Sequence, residues 1–268
     1  MERMPAVVCS GGYGKVLRPG RSKLGDVIGD KPVVAHVIEN IKATGLFDPI
    51  IVVVNHLMAE DLLETLGSCG HSDLLYVIQP ERRGAADAVS QAIPILKEFK
   101  ASAFLSIFGE LPLVTPKTLQ ELVQQHALHR PQLTSLCCPF EPEHRVAELI
   151  SWYCYLKQGW DSTDRSDPFL FIYSDRKAER GDDILGNVYV FNTDWFEQSF
   201  PLIESMDTKQ DGFGPEYHLP KMVELAVKQG DDLLSVRRNV QEQIMGINNL
   251  ADYQGAQELM ALLKGGCS

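Results

Sequence analysis

The sequence has no C-x-x-C pair, no apolar run of membrane-spanning length, no internal repeat, no low-complexity linker and no excess of basic residues. Each absence removes a class of protein. The cysteines are Cys9, Cys69, Cys137, Cys138, Cys154 and Cys267. They are scattered, and two are adjacent inside an apolar run, which argues against a zinc site or a disulfide framework and for buried reduced thiols. The opening MERMPAVVCS carries too short an apolar run for a signal peptide, so the expected location is the cytoplasm, with no membrane partner. With 25 Lys and Arg against 36 Asp and Glu, the net charge is -11. A general nucleic-acid partner is excluded on that ground, because such proteins present an excess of basic residues.

What is present is ordinary globular composition, 44% hydrophobic and 23% charged over 268 residues, and a regular alternation of patterns. Short β-branched runs (AVVC, PIIVVVN, DLLYVIQ, AFLSIFG, QLTSLCC) alternate with helical stretches. These are KPVVAHVIENIKATG, MAEDLLETLG, GAADAVSQAIPILKEF with Pro94 inside it, and TPKTLQELVQQHALH with Thr115 as cap. The alternation predicts an α/β fold with a mostly parallel, doubly wound sheet. From Pro139 to about Asp183 the pattern weakens into an insertion expected to hold short antiparallel strands. GNVYVFN then reads as a strand, PEYHLPKMVELAVKQG as a helix, DLLSVRR as a strand and NNLADYQGAQELMALLK as a closing helix. One domain over 1–268 is the simplest division, with 139–186 an insertion and 247–268 a C-terminal helix. His126 and His129 lie three apart on a helix and read as a wet face.

Ligands of open α/β sheets bind beyond the carboxyl ends of the strands, so residues just after strands carry the interest. The first such stretch, VVCSGGYGKVLRPGRSK, has three glycines in four positions, then Lys15, Arg18, Arg21 and Lys23. Glycines let backbone N–H groups approach an anion, and the cations neutralise phosphate charge. It is neither a Walker loop nor a dinucleotide fingerprint, since Val16 follows Gly14-Lys15 and Leu17 holds the third glycine position. A positive patch on an acidic chain suits a small anionic ligand.

The blocks CSGGYGKVL, Lys23 and GDKPVVAHVI resemble the start of the sugar-1-phosphate nucleotidyltransferases, in particular the uridyltransferase domain that makes UDP-N-acetylglucosamine. That family opens L-A-A-G-x-G-T-R-M, with a lysine seven residues after the arginine. In register, Gly12 and Gly14 take the glycine positions and Lys23 the lysine, while Lys15 falls on the threonine and Val16 on the arginine. IQPERRGAADA resembles L-Q-A-E-x-L-G-T-G-H-A, FGELPLV resembles Y-G-D-V-P-L-I, GINNLADY resembles G-V-N-N-R-L-Q-L, and PEYHLPKMV resembles an E-Y-Y-x-T-D block.

The resemblance implies a Rossmann-like nucleotide-diphospho-sugar transferase fold and a Mg²⁺-dependent transfer of a nucleotidyl group to a sugar 1-phosphate. It implies nucleotide binding by Ser10, Gly11, Gly12, Gly14, Gln79 and Gly84, with the base held by Gln79 and Gly84. Lys23 would contact phosphate, with Lys15 or Arg18 substituting for the missing arginine. The metal ligands would be Glu110 and Asn248, and the substrate contacts Asn187, Glu216 and Tyr217. The partners are then a nucleoside triphosphate and a sugar 1-phosphate, and homo-oligomerisation is left open.

The residues themselves allow plainer roles. Glu110 also reads as a solvated carboxylate whose removal leaves folding nearly intact, and Asn248 as an N-cap. Gln79 offers a pyrimidine edge one donor and one acceptor. In the family's sugar-contacting segment Leu185 stands at the asparagine position, with Asn187 displaced from it. Two other readings stay open: a catalytically weak nucleotide-sugar-binding paralogue, and a cytidylyltransferase acting on a non-sugar phosphate.

Overall fold

The computed structural model describes residues 3–12, 21–144, 155–156, 170–171, 179–203, 205–207 and 215–265. Gly14, Lys15, Val16 and Arg18 therefore lie outside the described residues. Strand β1 (Met4–Ser10) leads, past that gap, to a 3-10 turn at Lys23–Gly25 and a small antiparallel pair, β2 (Val27–Ile28) with β3 (Lys31–Pro32). Then follow α1 (Val33–Ala43), β4 (Phe47–Asn55), α2 (Ala59–Ser68), β5 (Leu75–Gln79), α3 (Ala85–Glu98) and β6 (Ala103–Phe108). After α4 (Pro116–His129) and β7 (Leu133–Pro139) come β8 (Tyr155–Leu156) and β9 (Leu170–Phe171). The chain continues through β10 (Asp183–Asn192), α5 (Thr193–Ser199), β11 (Met206–Asp207) and β12 (Pro215–Glu216). It ends with α6 (Pro220–Gln229), β13 (Leu233–Arg237) and α7 (Leu250–Gly265).

The central sheet runs β13-β7-β10-β6-β1-β4-β5. Its pairs are parallel except at β10, which is antiparallel to both neighbours, and β8 and β9 extend from β10 as a short antiparallel pair. The sheet is thus mostly parallel, and the described part of the insertion is antiparallel. Strand β4 is buried along nearly its whole length because helices cover both faces. Val8, Val52 and Val54 face a layer built from α1, α2, α4 and α7, while Val7, Ile51 and Val53 face α3, α5 and α6.

The position of β1 fixes where a ligand can go. The chain leaves β1 through α1 to β4 and β5 on one side, then returns through α3 to β6 on the other. Two crossovers that diverge from one strand leave a crevice at its carboxyl end, the topological switch point of a doubly wound sheet. Ser10 to Gly12 and Gly109-Glu110 stand at that crevice.

Three sequence expectations change. His126 is buried, and its Nδ1 lies 2.9 Å from Thr134 Oγ1, so it belongs to the packing of α4 on β7 and not to a wet face. His129 is exposed as expected. The helix expected from Pro215 starts at Pro220, because Pro215–Glu216 pairs with β11 as a strand. Lys31–Pro32 is likewise a strand pair preceding α1 and not its first turn.

Candidate active site

Lys23 reaches the crevice because its backbone is held from behind. The Ser22 side chain accepts from Leu24 N–H, and Ser22 N–H donates to Asp61 of α2 at 2.9 Å. The Lys23 ammonium sits 2.5 Å from Glu110 Oε2 and donates to Asn248 Oδ1 at 2.8 Å. Three residues spread over almost the whole chain therefore meet at one nitrogen. Gly246 eases the approach: a Cβ there would stand 3.1 Å from Glu110 Oε1, whereas one on Gly12 would meet the Lys23 stem at 3.5 Å, an ordinary contact. Glu110 is not a solvated strand-end carboxylate: its side chain is 18% exposed and that of Lys23 is 6% exposed. Ile247 N–H donates to the Glu110 carbonyl, which pins the 246–248 segment to the end of β6.

The two asparagines of this segment divide their work. Asn249 is the N-cap of α7: its Oδ1 accepts from Ala251 and Asp252 N–H, while Asp252 accepts from Asn248 and Asn249 N–H. That reciprocal arrangement is a capping box. It leaves Asn248 free of capping duty, with its amide oxygen turned to Lys23. A Glu carboxylate and an Asn amide oxygen are hard donors of the kind Mg²⁺ takes alongside substrate phosphates. In this structure the cation they hold is an ammonium.

A second group adjoins the first through Gly11. Gln79 ends β5 and is buried, and its Nε2 donates to Gly84 O at 3.0 Å and to Asp87 Oδ2 at 2.7 Å. Its Oε1 faces Gly11, at 3.1 Å from where a Cβ would stand. The amide therefore offers a ligand no donor, and the donor-plus-acceptor pairing expected from sequence reduces to a single acceptor. Gly84 has φ +89°, and a Cβ there would fall 2.5 Å from Tyr217 O, so only glycine fits. Tyr217 N–H donates to Arg83 O, Ala86 N–H donates to Tyr217 O, and the Arg83 guanidinium lies over the Tyr217 ring at 5.1 Å. Glu216 ends β12 just before Tyr217, beside His218, whose imidazole burial pushes down to about 4.

Asn187 adopts φ +53° in the irregular stretch of β10 between Leu185 and Tyr189. Val188 pairs with Ile107, so Asn187 stands at the same rim as Glu110, while Leu185 is buried in the core. The buried Ser10 Oγ makes no hydrogen bond among the described residues, and Gly109 is close enough that a Cβ would meet it at 2.7 Å. Cys9, next to the loop, is no nucleophile: burial pushes its thiol up to about 12. Nothing in the sequence pattern marks Asp87, Gly246, Asp252 or Arg83 as site residues. Asp87 and Arg83 fall inside the quoted IQPERRGAADA block, but their contacts are set by β12 and β5 and not by spacing.

The profile of the MobA-like NTP transferase domain matches residues 6–198. The chain belongs to this family of nucleotidyltransferases. The match bears out the resemblance carried by the opening motifs. Among relatives, the bifunctional protein GlmU of Exiguobacterium sibiricum is 27% identical over 257 residues, covering 95% of this chain and 52% of its own length. The GlmU of Staphylococcus haemolyticus is 26% identical over 261 residues, with the same shares. The chain thus spans about half the length of these relatives.

Two solved structures share the fold. CMP:2-keto-3-deoxy-manno-octonic acid synthetase complexed with CTP gives a TM-score of 0.66 at 14% identity, covering 97% of this chain and 99% of that one. A Bacillus anthracis protein described as a glucose-1-phosphate thymidylyltransferase, in complex with a sucrose, gives 0.70 at 15%, covering 96% and 94%. Among the described residues no helix is long and apolar enough to cross a membrane.

Proposed function

We propose that the chain transfers a nucleotidyl group, uridylyl foremost, from a nucleoside triphosphate to a sugar 1-phosphate, releasing pyrophosphate. The supporting observation is the meeting of Lys23, Glu110 and Asn248 at the switch point, between the glycine loop after β1 and the end of β6. A phosphate oxygen of the sugar phosphate attacks the α-phosphorus, and the bond to the β-phosphate oxygen breaks as pyrophosphate leaves. The attacking oxygen is already anionic, so the protein needs no general base. Its work is positioning and charge neutralisation.

In this reading Gly11 and Gly12 admit the triphosphate to the loop, and Lys23 turns its ammonium from Glu110 towards the α-phosphate. Glu110 and Asn248 would then hold Mg²⁺, which supplies charge neutralisation for the triphosphate and the departing pyrophosphate. Gln79 accepts from a base N–H, Gly84 lets the base lie against the start of α3, and Asn187, Glu216 and Tyr217 flank the sugar side. Lys15 or Arg18 provides the second cation where the family has arginine and this chain has Val16.

A screen of pyrophosphate release over nucleoside triphosphates and sugar 1-phosphates, with Mg²⁺, tests the reading. UTP or dTTP with a sugar 1-phosphate is the expected productive pair. Turnover only with CTP and a non-sugar phosphate overturns it, as does nucleotide binding with no release under any pairing. The position of Val16 favours that last outcome as the second reading, since loss of an arginine of this kind costs roughly 10³–10⁵ in rate by analogy with arginine fingers. Kinetics of Lys15→Ala, Arg18→Ala and Val16→Arg separate the two. A substitute cation makes the first two changes costly and the third neutral or harmful, whereas a weak paralogue gains rate from Val16→Arg.

A further inference from the structure

Asp87 lies in the first turn of α3, one of the few buried carboxylates among the described residues, and the transfer chemistry does not use it. We propose that Asp87 is a positioning residue that fixes the amide polarity of Gln79 and thereby selects a nucleobase carrying a ring N–H. This rests on the reading of Gln79 as the base contact and assigns the origin of its selectivity.

The argument starts from what each atom can do. A side-chain amide has two faces of opposite character, an oxygen that only accepts and a nitrogen that only donates. Which of them meets the ligand decides which base edge is complementary. Gln79 is buried, so a flipped amide would leave its oxygen against other acceptors, at the cost of an unpaired buried group. The flip is prevented by two pure acceptors on one side: the Gly84 carbonyl at 3.0 Å and the Asp87 carboxylate at 2.7 Å. Neither can donate, so the group facing them is the NH₂, and Oε1 is left pointing to Gly11 and the loop.

The position of Asp87 is held in turn. Its other oxygen faces Arg83 Nε at 3.9 Å, and the Arg83 guanidinium packs over Tyr217. The carboxylate also lies at a helix N-terminus, where negative charge is favoured. Tyr217, Arg83, Asp87 and Gln79 thus form one chain of contacts from β12 to the base side of the crevice. In the family's L-Q-A-E-x-L-G-T-G-H-A block this position reads histidine, so the device belongs to this chain's own sequence.

An outward acceptor complements the N3–H of uracil or thymine. Cytosine presents a lone pair at the same ring position and is repelled. Asn at position 87 has only one oxygen to serve both the Gln79 amide, now 2.7 Å from the carboxylate, and the Arg83 charge, now 3.9 Å from it. With that oxygen turned to Arg83, its NH₂ confronts Gln79 and the amide polarity is released.

Calorimetric titration with UTP and with CTP, alongside thermal unfolding, tests the inference. Asp87→Asn should reduce the preference for UTP over CTP roughly tenfold or more, the scale of one mispaired buried hydrogen bond, while Gln79→Ala abolishes the preference. Equal weakening of both nucleotides by Asp87→Asn means a merely structural carboxylate and overturns the inference. If Gln79→Ala leaves the preference intact, the base reading itself fails, and the inference with it. Independently of any substitution, N3-methyluridine triphosphate should bind the unaltered protein at least about tenfold more weakly than UTP. Equal binding of the two overturns the assignment of an acceptor to the N3 position.

Discussion

Lys23 and Glu110 form the pair on which the crevice is organised, and their burial changes what a substitution there does. Removing an exposed carboxylate would alter folding little. Here Glu110→Ala leaves a 6%-exposed ammonium with the Asn248 oxygen as its hydrogen-bond partner among the described residues. Breaking a buried pair from one side strands the other charge, and the partial exposure of Glu110 puts the expected loss at about 2–3 kcal/mol. Urea unfolding of nucleotide-free protein measures it. Adding Lys23→Met to Glu110→Ala should restore most of the loss, because an apolar side chain of similar length needs no counter-charge. A Glu110→Ala variant as stable as the parent would show that the pair contributes nothing to the fold. Neither variant should turn over substrate, so stability and activity part company at this pair.

At the level of the elements, α4 carries the clearest dependence on pH. His126 is enclosed between α4 and β7, and burial pushes its imidazole from an ordinary 6.5 down to about 4. Below pH 6.5 the unfolded chain takes up the proton first, so the contribution of His126 to stability falls as pH drops from about 6.5 to about 4 and is level below that. The loss approaches about 3 kcal/mol across that window. His218 contributes a change of the same sign, its imidazole also pushed down to about 4. Urea midpoints measured at pH 7 and pH 4.5 should converge in His126→Phe relative to the parent, and an unchanged difference would remove His126 as a source.

The same helix shows why some of the fold was legible and some was not. Thr115 followed by Pro116 is a local signal, and the Thr115 side chain does accept from Thr118 N–H as the cap. The strand β10 gave its β-branched pattern away but not its direction, since antiparallel pairing with β6 and β7 is decided by partners far off in sequence. Helix α5, seven residues long, is too short for a period to declare itself, and its stability comes from Phe196 against Phe104 and Phe191. Gln79 was readable as a strand-end amide. That its two donors are spent was not, because Asp87 meets it only once α3 packs on β5.

On the scale of the whole molecule, the site depends on a join between the chain's two ends. Lys23 and Asn248 are 225 positions apart. Behind Lys23, the β2–β3 pair is tied to α7: Tyr253 Oη and Gln257 Nε2 both donate to Val27 O, and Gly29 N–H donates to Gln257 Oε1. The tie grips the segment just after Lys23 and the helix just after Asn248, so it sets the distance between the two ends of the cation cluster without touching a ligand. Replacing Tyr253 by Phe and Gln257 by Ala together removes these three side-chain bonds at about 1 kcal/mol each, for a fall in melting temperature of roughly 6–12 °C. The consequence for binding is specific. Lys23 and Asn248 should drift apart, weakening every nucleoside triphosphate by several-fold through the phosphates. The ratio of UTP to CTP affinity should stay as in the parent, because Gln79, Asp87 and Gly84 belong to β5 and α3 on the other side of the crevice. Titrations of the double variant with both nucleotides read the two effects separately. A changed ratio would mean that base and phosphate recognition are not independently built, and an unchanged phosphate affinity would mean that the ends hold their place without α7.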